Sequence, residues 1–282
     1  MGPVSTRISR SLLRLSVFIT ITVVLWWFLA GLITLLMPET VVASALSLGI
    51  AVIATTTAMM RIYEMQPFYA VGFFFNRAGA VHLGMGLALG AGSSLFVVAV
   101  QWACGWARFE RVGFLPHEML TLSFWFVILL IGAIGEELLF RGYGFQHLIV
   151  ALGPWFPIAS TSILFAWAHS ANPAFSRISL LNTALFGIVF GYAYWRTRDL
   201  WLPLGMHFSW NFALATIGAN VSGLKIKLMG ISLLETGPTL WSGGDYGPEA
   251  SAVTTVVLAG LAVSLWKMPL IRQERGILAE HP

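Results

Sequence analysis

Apolar residues recur in long runs from one end of this chain to the other. A helix of about 20 such residues crosses a hydrocarbon core of about 30 Å. No stretch between the runs has the composition of a soluble domain, so the pattern predicts one membrane domain over residues 1–282. We expect an all-α, polytopic bundle of about eight transmembrane helices enclosing a polar cavity. The runs lie near 15–37, 41–60, 80–103, 119–143, 155–170, 178–195, 200–218 and 251–268.

Composition supports a membrane protein. Hydrophobic residues make up 57% of the chain and charged residues 10%, where a soluble domain carries about 25% charge, and the mean hydropathy is +0.81. The lipid bilayer is therefore the expected environment, and the net charge of +4 is attributed to topology, not to nucleic-acid binding. A single cysteine, Cys104, excludes an internal disulfide framework and is expected to be a packing residue.

The basic residues indicate an orientation for the eight runs. If the N-terminus is cytoplasmic and every run crosses, the outside carries fewer Lys and Arg residues than the inside, as the positive-inside rule requires. Both termini are therefore predicted to be cytoplasmic. The first apolar run is longer than the ~7–15 residues of a signal-peptide core, so we interpret it as a retained anchor. The inside set is Arg7, Arg10, Arg14, Arg61, Arg77, Arg141, Arg196, Arg198, Lys267, Arg272 and Arg275, and the outside set is Arg108, Arg111, Arg177, Lys225 and Lys227.

A polar stretch at about 219–250 separates the last two runs. Its Gly-Pro at 237–238 and Gly-Gly at 243–244 are turn signals. This composition favours an ordered loop or a re-entrant turn over a helix. On the predicted topology the stretch faces outward.

Ionisable residues interrupt the fourth run in the sequence "GAIGEELLFRGYG". A carboxylate at the centre of an isolated membrane helix costs about 2.5–3.5 kcal/mol, so Glu136 and Glu137 need partners or a water-filled cavity. Arg141 lies four residues after Glu137 and can pair with it along the helix. A structural ion pair therefore accounts for Glu137 and Arg141, and it leaves Glu136 without a partner.

Two later runs add histidines. His169 follows Phe165 by four residues, and His207 precedes Asn211 by four, so the second pair projects from one helix face. Taken alone, such residues are typical of hydrogen bonds between membrane helices. Counting 1.5 Å per residue from the inner ends places Glu136 at ~13 Å and His207 at ~10 Å, and His169 at ~22 Å. His169 would lie above the glutamates unless its helix begins deeper or tilts.

If these side chains converge, they supply the groups that hydrolysis needs. A carboxylate can act as a base, imidazoles can bind metal or stabilise an oxyanion, and an amide can donate a hydrogen bond. The same groups could also form an ion or proton site in a transporter, and the chemistry by itself leaves both interpretations open. No internal repeat of the kind common in transporters is present.

With these motifs in order on separate helices, the chain resembles the CPBP family of intramembrane proteases, also called the Abi or CaaX-protease-and-bacteriocin-processing family. The EExxxR element is matched by Glu136, Glu137 and Arg141, FxxxH by Phe165 and His169, and HxxxN by His207 and Asn211. The signature core spans about 121–218, and the turn-rich "TGPTLWSGGDYGPEAS" looks like a C-terminal segment of bacterial members. The resemblance implies an endopeptidase similar to the type II prenyl-protein endoproteases, in a bacterial inner membrane.

The resemblance also implies roles for the motif residues. Glu136 is the expected general base for water attack on a peptide of a membrane-associated or prenylated protein, and Glu137 is held by Arg141. His169, His207 and Glu136 are candidate ligands of a zinc-like divalent metal. In a metal-free alternative, the two histidines and Asn211 donate hydrogen bonds to the oxyanion. The remaining histidines match no motif and are expected to be interfacial or solvated: His82, His117, His147 and His281.

A membrane scaffold or immunity factor that binds a partner without catalysis is a further alternative. Such a protein would keep the pocket, and its biological effect would survive the loss of the base at Glu136.

Overall fold

The computed structural model is a bundle of helices with one small sheet. It describes residues 3–37, 39–113, 118–226 and 228–279, with side chains from Ile8 onward. The helices are α1 (Pro3–Leu36), α2 (Thr40–Ile62), α3 (Arg77–Ala103), α4 (Glu118–Arg141), α5 (Tyr143–Leu152), α6 (Trp155–Ala168), α7 (Arg177–Thr197), α8 (Trp201–Thr216), α9 (Thr239–Ser242) and α10 (Ala252–Lys267), and the strands are β1 (Ala107–Arg111) and β2 (Ile231–Glu235).

The predicted all-α membrane bundle is confirmed. Each of the eight apolar runs overlaps one long helix, namely α1 to α4, α6 to α8 and α10. Five segments within the described ranges are long and apolar enough to span a bilayer. Helices α6, α8 and α10 are shorter, with 14, 16 and 16 residues. Helix α8 is largely buried among its neighbours. It therefore does not have to cross the hydrocarbon core by its own length, because it is surrounded by protein and not by lipid.

Helix α4 ends earlier than predicted. The backbone leaves the helical conformation at Gly142 (φ −78°, ψ −133°), and a Cβ there would collide with the carbonyl oxygen of Leu138. Glycine therefore permits a sharp break directly after Arg141. The ten-residue helix α5 follows, which the apolar pattern did not separate from α4 because both segments are hydrophobic.

Polar contacts define two faces of the bundle. Strands β1 and β2 pair antiparallel, which brings the α3–α4 connection and the α8–α10 connection together at one face. At the other face Arg14 of α1 bonds Glu64 at 3.0 Å, and Asn76 bonds Gln273 beyond α10 at 3.0 Å. The loops alternate between faces as eight crossings require. The cytoplasmic location of the termini remains a prediction.

Two expectations for polar residues were wrong. His82 and His147 are buried, each 1% exposed, because acidic partners satisfy them: His82 pairs with Asp199 and His147 with Glu64 at 3.2 Å. Cys104 is exposed at the end of α3 and is not a packing residue. Of the other residues named from the sequence, His117, Lys227, His281 and the side chain of Arg7 lie outside the described part of the chain.

The close approach of α3 to α8 depends on glycine. A Cβ on Gly90 would collide with the carbonyl oxygen of Met206, the residue before His207, whereas Gly92 has open space at the same position. Small residues let membrane helices approach closely. We therefore expect Gly90→Ala to displace α8 and to lower the free energy of unfolding by about 1–3 kcal/mol.

The melting temperature in detergent would test this expectation, with Gly92→Ala as the matched control. Gly90→Ala should lower the melting temperature and Gly92→Ala should leave it unchanged. Equal behaviour of the two variants would show that the glycine contact does not position α8.

Glu235 gives the β1–β2 sheet a pH-dependent stability. Burial raises the pKa of this carboxyl group from 4.5 to about 8, and its Oε2 has no hydrogen-bond partner among the described residues. Because the folded-state pKa exceeds the unfolded one, the folded state binds more protons, and stability falls as pH rises from about 4.5 to about 8. We expect the melting temperature to fall between pH 5 and pH 9, and Glu235→Gln to reduce that fall. Glu110→Gln on the exposed part of β1 should leave it unchanged, and an identical slope in all three proteins would contradict the assignment.

Candidate active site

A buried ion pair at the end of α4 lies directly behind the site. Arg141 Nη1 donates to Glu137 Oε1 at 3.0 Å, and both side chains are 0% exposed. The second nitrogen, Nη2, donates to the Gly187 carbonyl at 3.2 Å, so the guanidinium fork joins α4 to α7 and does not grip both carboxylate oxygens. Its carbon lies 4.8 Å from the Phe165 ring centre and 5.3 Å from that of Phe190. The predicted pair is present, and aromatic faces surround its cation.

His207 is oriented by the same carboxylate. Its Nδ1 lies 2.8 Å from Glu137 Oε1, and its ring stacks on Phe190 with centres 5.3 Å apart. Arg141 also donates to this oxygen, and with the oxygen as acceptor in both contacts the Nδ1 of His207 is the donor. The other ring nitrogen, Nε2, points to Glu136 Oε2 at 3.7 Å.

A hydrogen bond to the backbone fixes the orientation of the His169 ring. It caps the end of α6, and its Nδ1 donates to the carbonyl oxygen of Phe165 at 2.8 Å. A carbonyl only accepts, so Nδ1 is protonated and the tautomer is set. Nε2 lies 3.9 Å from Glu136 Oε2. The four-residue spacing of the FxxxH element therefore has a local cause, since residue i−4 supplies the acceptor.

Glu136 is the point on which the two imidazoles converge. Its Oε2 makes no hydrogen bond to any described residue, and the distances of 3.7 and 3.9 Å to the two Nε2 atoms are too long for direct bonds. The expected height of His169 above the glutamates was wrong. The residue count did not include α5, which lies between α4 and α6 along the chain.

The HxxxN element contributes its second residue to the same cavity. Asn211 is half-buried one helical turn after His207, and it lines the cavity together with Glu136 and both histidines. No side-chain hydrogen bond joins it to another described residue, so its amide is available to a ligand. All six residues predicted from the motifs therefore lie in or directly behind one pocket.

The cavity has a volume of about 780 Å³. Most of its wall is apolar, with contributions from α1, α2 and α4 to α8. Among the described lining residues the ionisable side chains are Glu136, His169, His207 and Glu249. A large hydrophobic compartment thus meets a small polar centre, which is the usual organisation of a ligand pocket.

Glu249 was missed by the sequence reasoning. It lies in a short 3-10 turn at Pro248–Ala250, within the polar stretch beyond β2, and only chain folding brings it to the cavity. Trp210 Nε1 donates to its Oε1 at 3.0 Å, and Ser222 donates to its Oε2 through both its backbone N–H and its hydroxyl. Burial raises the pKa of Glu249, while the bonds from Ser222 act in the opposite direction. The turn-rich "GDYGPEAS" was the available signal, but it does not single out the glutamate.

The candidate metal ligands do not form a closed set. Within the described ranges no group of three His, Cys, Asp or Glu side chains is arranged to hold a metal ion. The two Nε2 atoms face one carboxylate oxygen at 3.7 and 3.9 Å, and a metal held by His169, His207 and Glu136 remains a prediction.

Comparison with known proteins gives a match to one family model. Residues 118–213 match a family model described as Rce1-like, the type II CAAX prenyl endopeptidase family. The matched segment is about a third of the chain and contains all six motif residues, and it confirms the resemblance that the motifs indicate. No curated protein and no solved structure matches the chain.

Proposed function

We propose that this protein hydrolyses a peptide bond of a membrane-associated or prenylated protein in the cavity between α1, α4 and α8, with Glu136 as the general base. The observation that supports it is the convergence on Glu136 Oε2 of two imidazole nitrogens, at 3.7 and 3.9 Å, each on a ring whose other nitrogen is fixed. Rigidly oriented groups around an unpaired carboxylate oxygen are what water activation requires.

The reaction follows from these positions. Glu136 accepts a proton from a water as the water oxygen attacks the scissile carbonyl carbon. The resulting oxyanion accepts hydrogen bonds from the Asn211 amide and from the Nε2–H of an imidazole in its doubly protonated form, since Nδ1 of each ring already carries a proton in its own contact. Such donors stabilise developing charge in a dry site. Glu136 then returns the proton to the leaving amine as the carbon–nitrogen bond breaks. Glu137 and Arg141 touch no substrate and act by holding His207.

The substrate class is supported by the wall of the cavity. Side chains of α1 such as Phe18, Val23 and Trp26 face side chains of α2 such as Leu48 across the apolar part. Burial of apolar substrate against such a surface stabilises the complex by about 25 cal/mol for each Å² of apolar surface removed from water. A lipid-modified or membrane-embedded segment fits this compartment.

Metal dependence is part of the test. A metal bound by His169, His207 and Glu136 would polarise the carbonyl and acidify water, and no step above passes through a metal.

The experiment is cleavage of a panel of prenylated and membrane-tethered peptides by the purified protein in detergent, with and without a chelator. Wild type should cleave at least one class, and Glu136→Gln and His207→Ala should not. Unchanged cleavage after chelation would support the metal-free mechanism. Equal background from all three folded proteins, on every peptide, would refute the peptidase proposal, and ion flux in liposomes would then test the transporter alternative.

A further inference from the structure

Glu249 contacts the helix that carries His207 and Asn211. Its Oε1 accepts a hydrogen bond from Trp210 Nε1 at 3.0 Å, and Trp210 is the residue directly before Asn211. The Trp210 ring is 2% exposed and packs edge-on against Phe186 of α7, with centres 4.8 Å apart. An indole fixed by packing and by this bond fixes the rotation of α8 at this turn.

The other oxygen of Glu249 holds the turn at Val221–Leu224. Ser222 donates to it through N–H and hydroxyl, and the two ends of the turn bond each other between Val221 and Leu224. Gly223, at φ +82°, lies so close to Pro173 that a Cβ would collide with the Pro173 carbonyl oxygen. The turn is therefore pressed against the segment that follows His169.

A hydrogen bond continues this chain of contacts to His169. Asn172 Nδ2 donates to the Ser222 carbonyl at 3.0 Å, and the Asn172 backbone N–H donates to the His169 carbonyl at 3.1 Å. The 3-10 turn at His169–Ala171 is thereby tied to the turn that Glu249 holds.

Glu249 is itself fixed to the bundle. Asn182 of α7 donates to the Glu249 carbonyl at 2.7 Å and to the Ser251 carbonyl at 2.9 Å, and Ser251 caps α10 by accepting from the Thr254 backbone N–H. The backbone that carries the Glu249 carboxylate is therefore fixed at the junction of α7 and α10.

We infer that Glu249 is a positioning residue of the catalytic site, which sets the distance between the two imidazoles through one branch to α8 and a second branch, through Ser222 and Asn172, to His169. The inference rests on the proposed function for its kinetic consequence. Its structural content, the mechanical link between two loop segments and a helix, is independent of activity.

The kinetic test uses Glu249→Gln. The glutamine amide keeps one acceptor oxygen, but its NH₂ group is a donor and must face either Trp210 Nε1–H or the two donors of Ser222. One of the two branches therefore loses its hydrogen bond, while side-chain volume is preserved. We expect kcat to fall roughly 10- to 100-fold, because small displacements of reacting groups slow a reaction by that much. KM should change by less than about twofold, because contacts that bind the substrate equally well in its ground state and its transition state are kept. Ser242→Ala is the control: Ser242 is buried in the same outer segment and bonds Gly237, Pro238 and Gly244, but neither Trp210 nor Ser222.

Coupling distinguishes positioning from a general loss of stability. If Asn172 transmits the effect, Asn172→Ala should lower kcat as well, and the double variant with Glu249→Gln should be little worse than the worse single one. Independent, multiplicative losses would overturn the second branch. A fall in kcat for Ser242→Ala equal to that for Glu249→Gln would overturn positioning altogether.

Hydrogen exchange separates failure of the inference from failure of the proposed function. Glu249→Gln should speed amide exchange in peptides covering both 220–224 and 169–172, whereas Ser242→Ala should affect only peptides near 237–247. If wild type cleaves no substrate, the endopeptidase proposal fails, and this exchange pattern still decides whether Glu249 links the two segments. Faster exchange confined to 220–224 would overturn the link to His169.

Discussion

Glu136→Gln should abolish cleavage and leave the protein folded. The amide has the size of the carboxylate but cannot take a proton from water, and general-base assistance contributes roughly 10²- to 10⁴-fold to a rate. The side chain is 26% exposed to the cavity, and its Oε2 has no partner among the described residues. Replacing this carboxylate by an amide therefore breaks no hydrogen bond between that oxygen and a described residue.

Initial rates of peptide cleavage and the melting temperature in detergent would be measured together. Glu110→Gln on the exposed face of β1 is the matched control for loss of a carboxylate. Retention of more than a tenth of wild-type kcat by Glu136→Gln would assign the base to another group.

Arg141→Met should have the largest effect on stability. The guanidinium is 0% exposed and pairs with an equally buried Glu137, so its removal leaves a carboxylate without its cation in the core. Breaking a buried ion pair from one side costs about 3–5 kcal/mol, which is a large part of the stability of an ordinary domain. We expect the variant to accumulate poorly or to melt at a much lower temperature.

Arg141→Lys tests the geometry of the same group. A lysine keeps the charge but cannot reach Glu137 and the Gly187 carbonyl with one planar fork or spread over the Phe165 and Phe190 faces. Loss of one charged hydrogen bond is worth about 1.5–3 kcal/mol, so activity should fall about 10- to 100-fold as His207 loses its fixed acceptor. Arg61→Lys, at an exposed position of α2, provides the control, and full activity of Arg141→Lys would show that positive charge alone is sufficient.

Local patterns were enough to place the individual motifs. The Glu137–Arg141 pair follows from helical spacing, because residues i and i+4 share a face. The contact from His169 to the Phe165 carbonyl is also local along the chain, although it was seen only in the structure. The Glu137–Arg141 prediction needed no knowledge of another helix.

Contacts between helices were beyond the sequence. The convergence of His169 with Glu136 is a contact between α4 and the end of α6, which the break at Gly142 and helix α5 separate along the chain. The burial of His82 and His147 depends on acidic partners, Asp199 and Glu64, that are distant along the chain. A histidine in a polar context looks solvated until its partner is located.

The sequence by itself determined that this is a helical membrane protein and which residues form the candidate motifs, because hydropathy sets which segments enter the membrane and because the motif spacings are local. Tertiary structure alone decided that two imidazoles face one carboxylate oxygen, that the Arg141 fork joins two helices, and that Glu249 reaches the cavity from the α8–α10 connection. These are distances between segments far apart in the chain. Packing of the whole bundle sets them, and no local spacing encodes them.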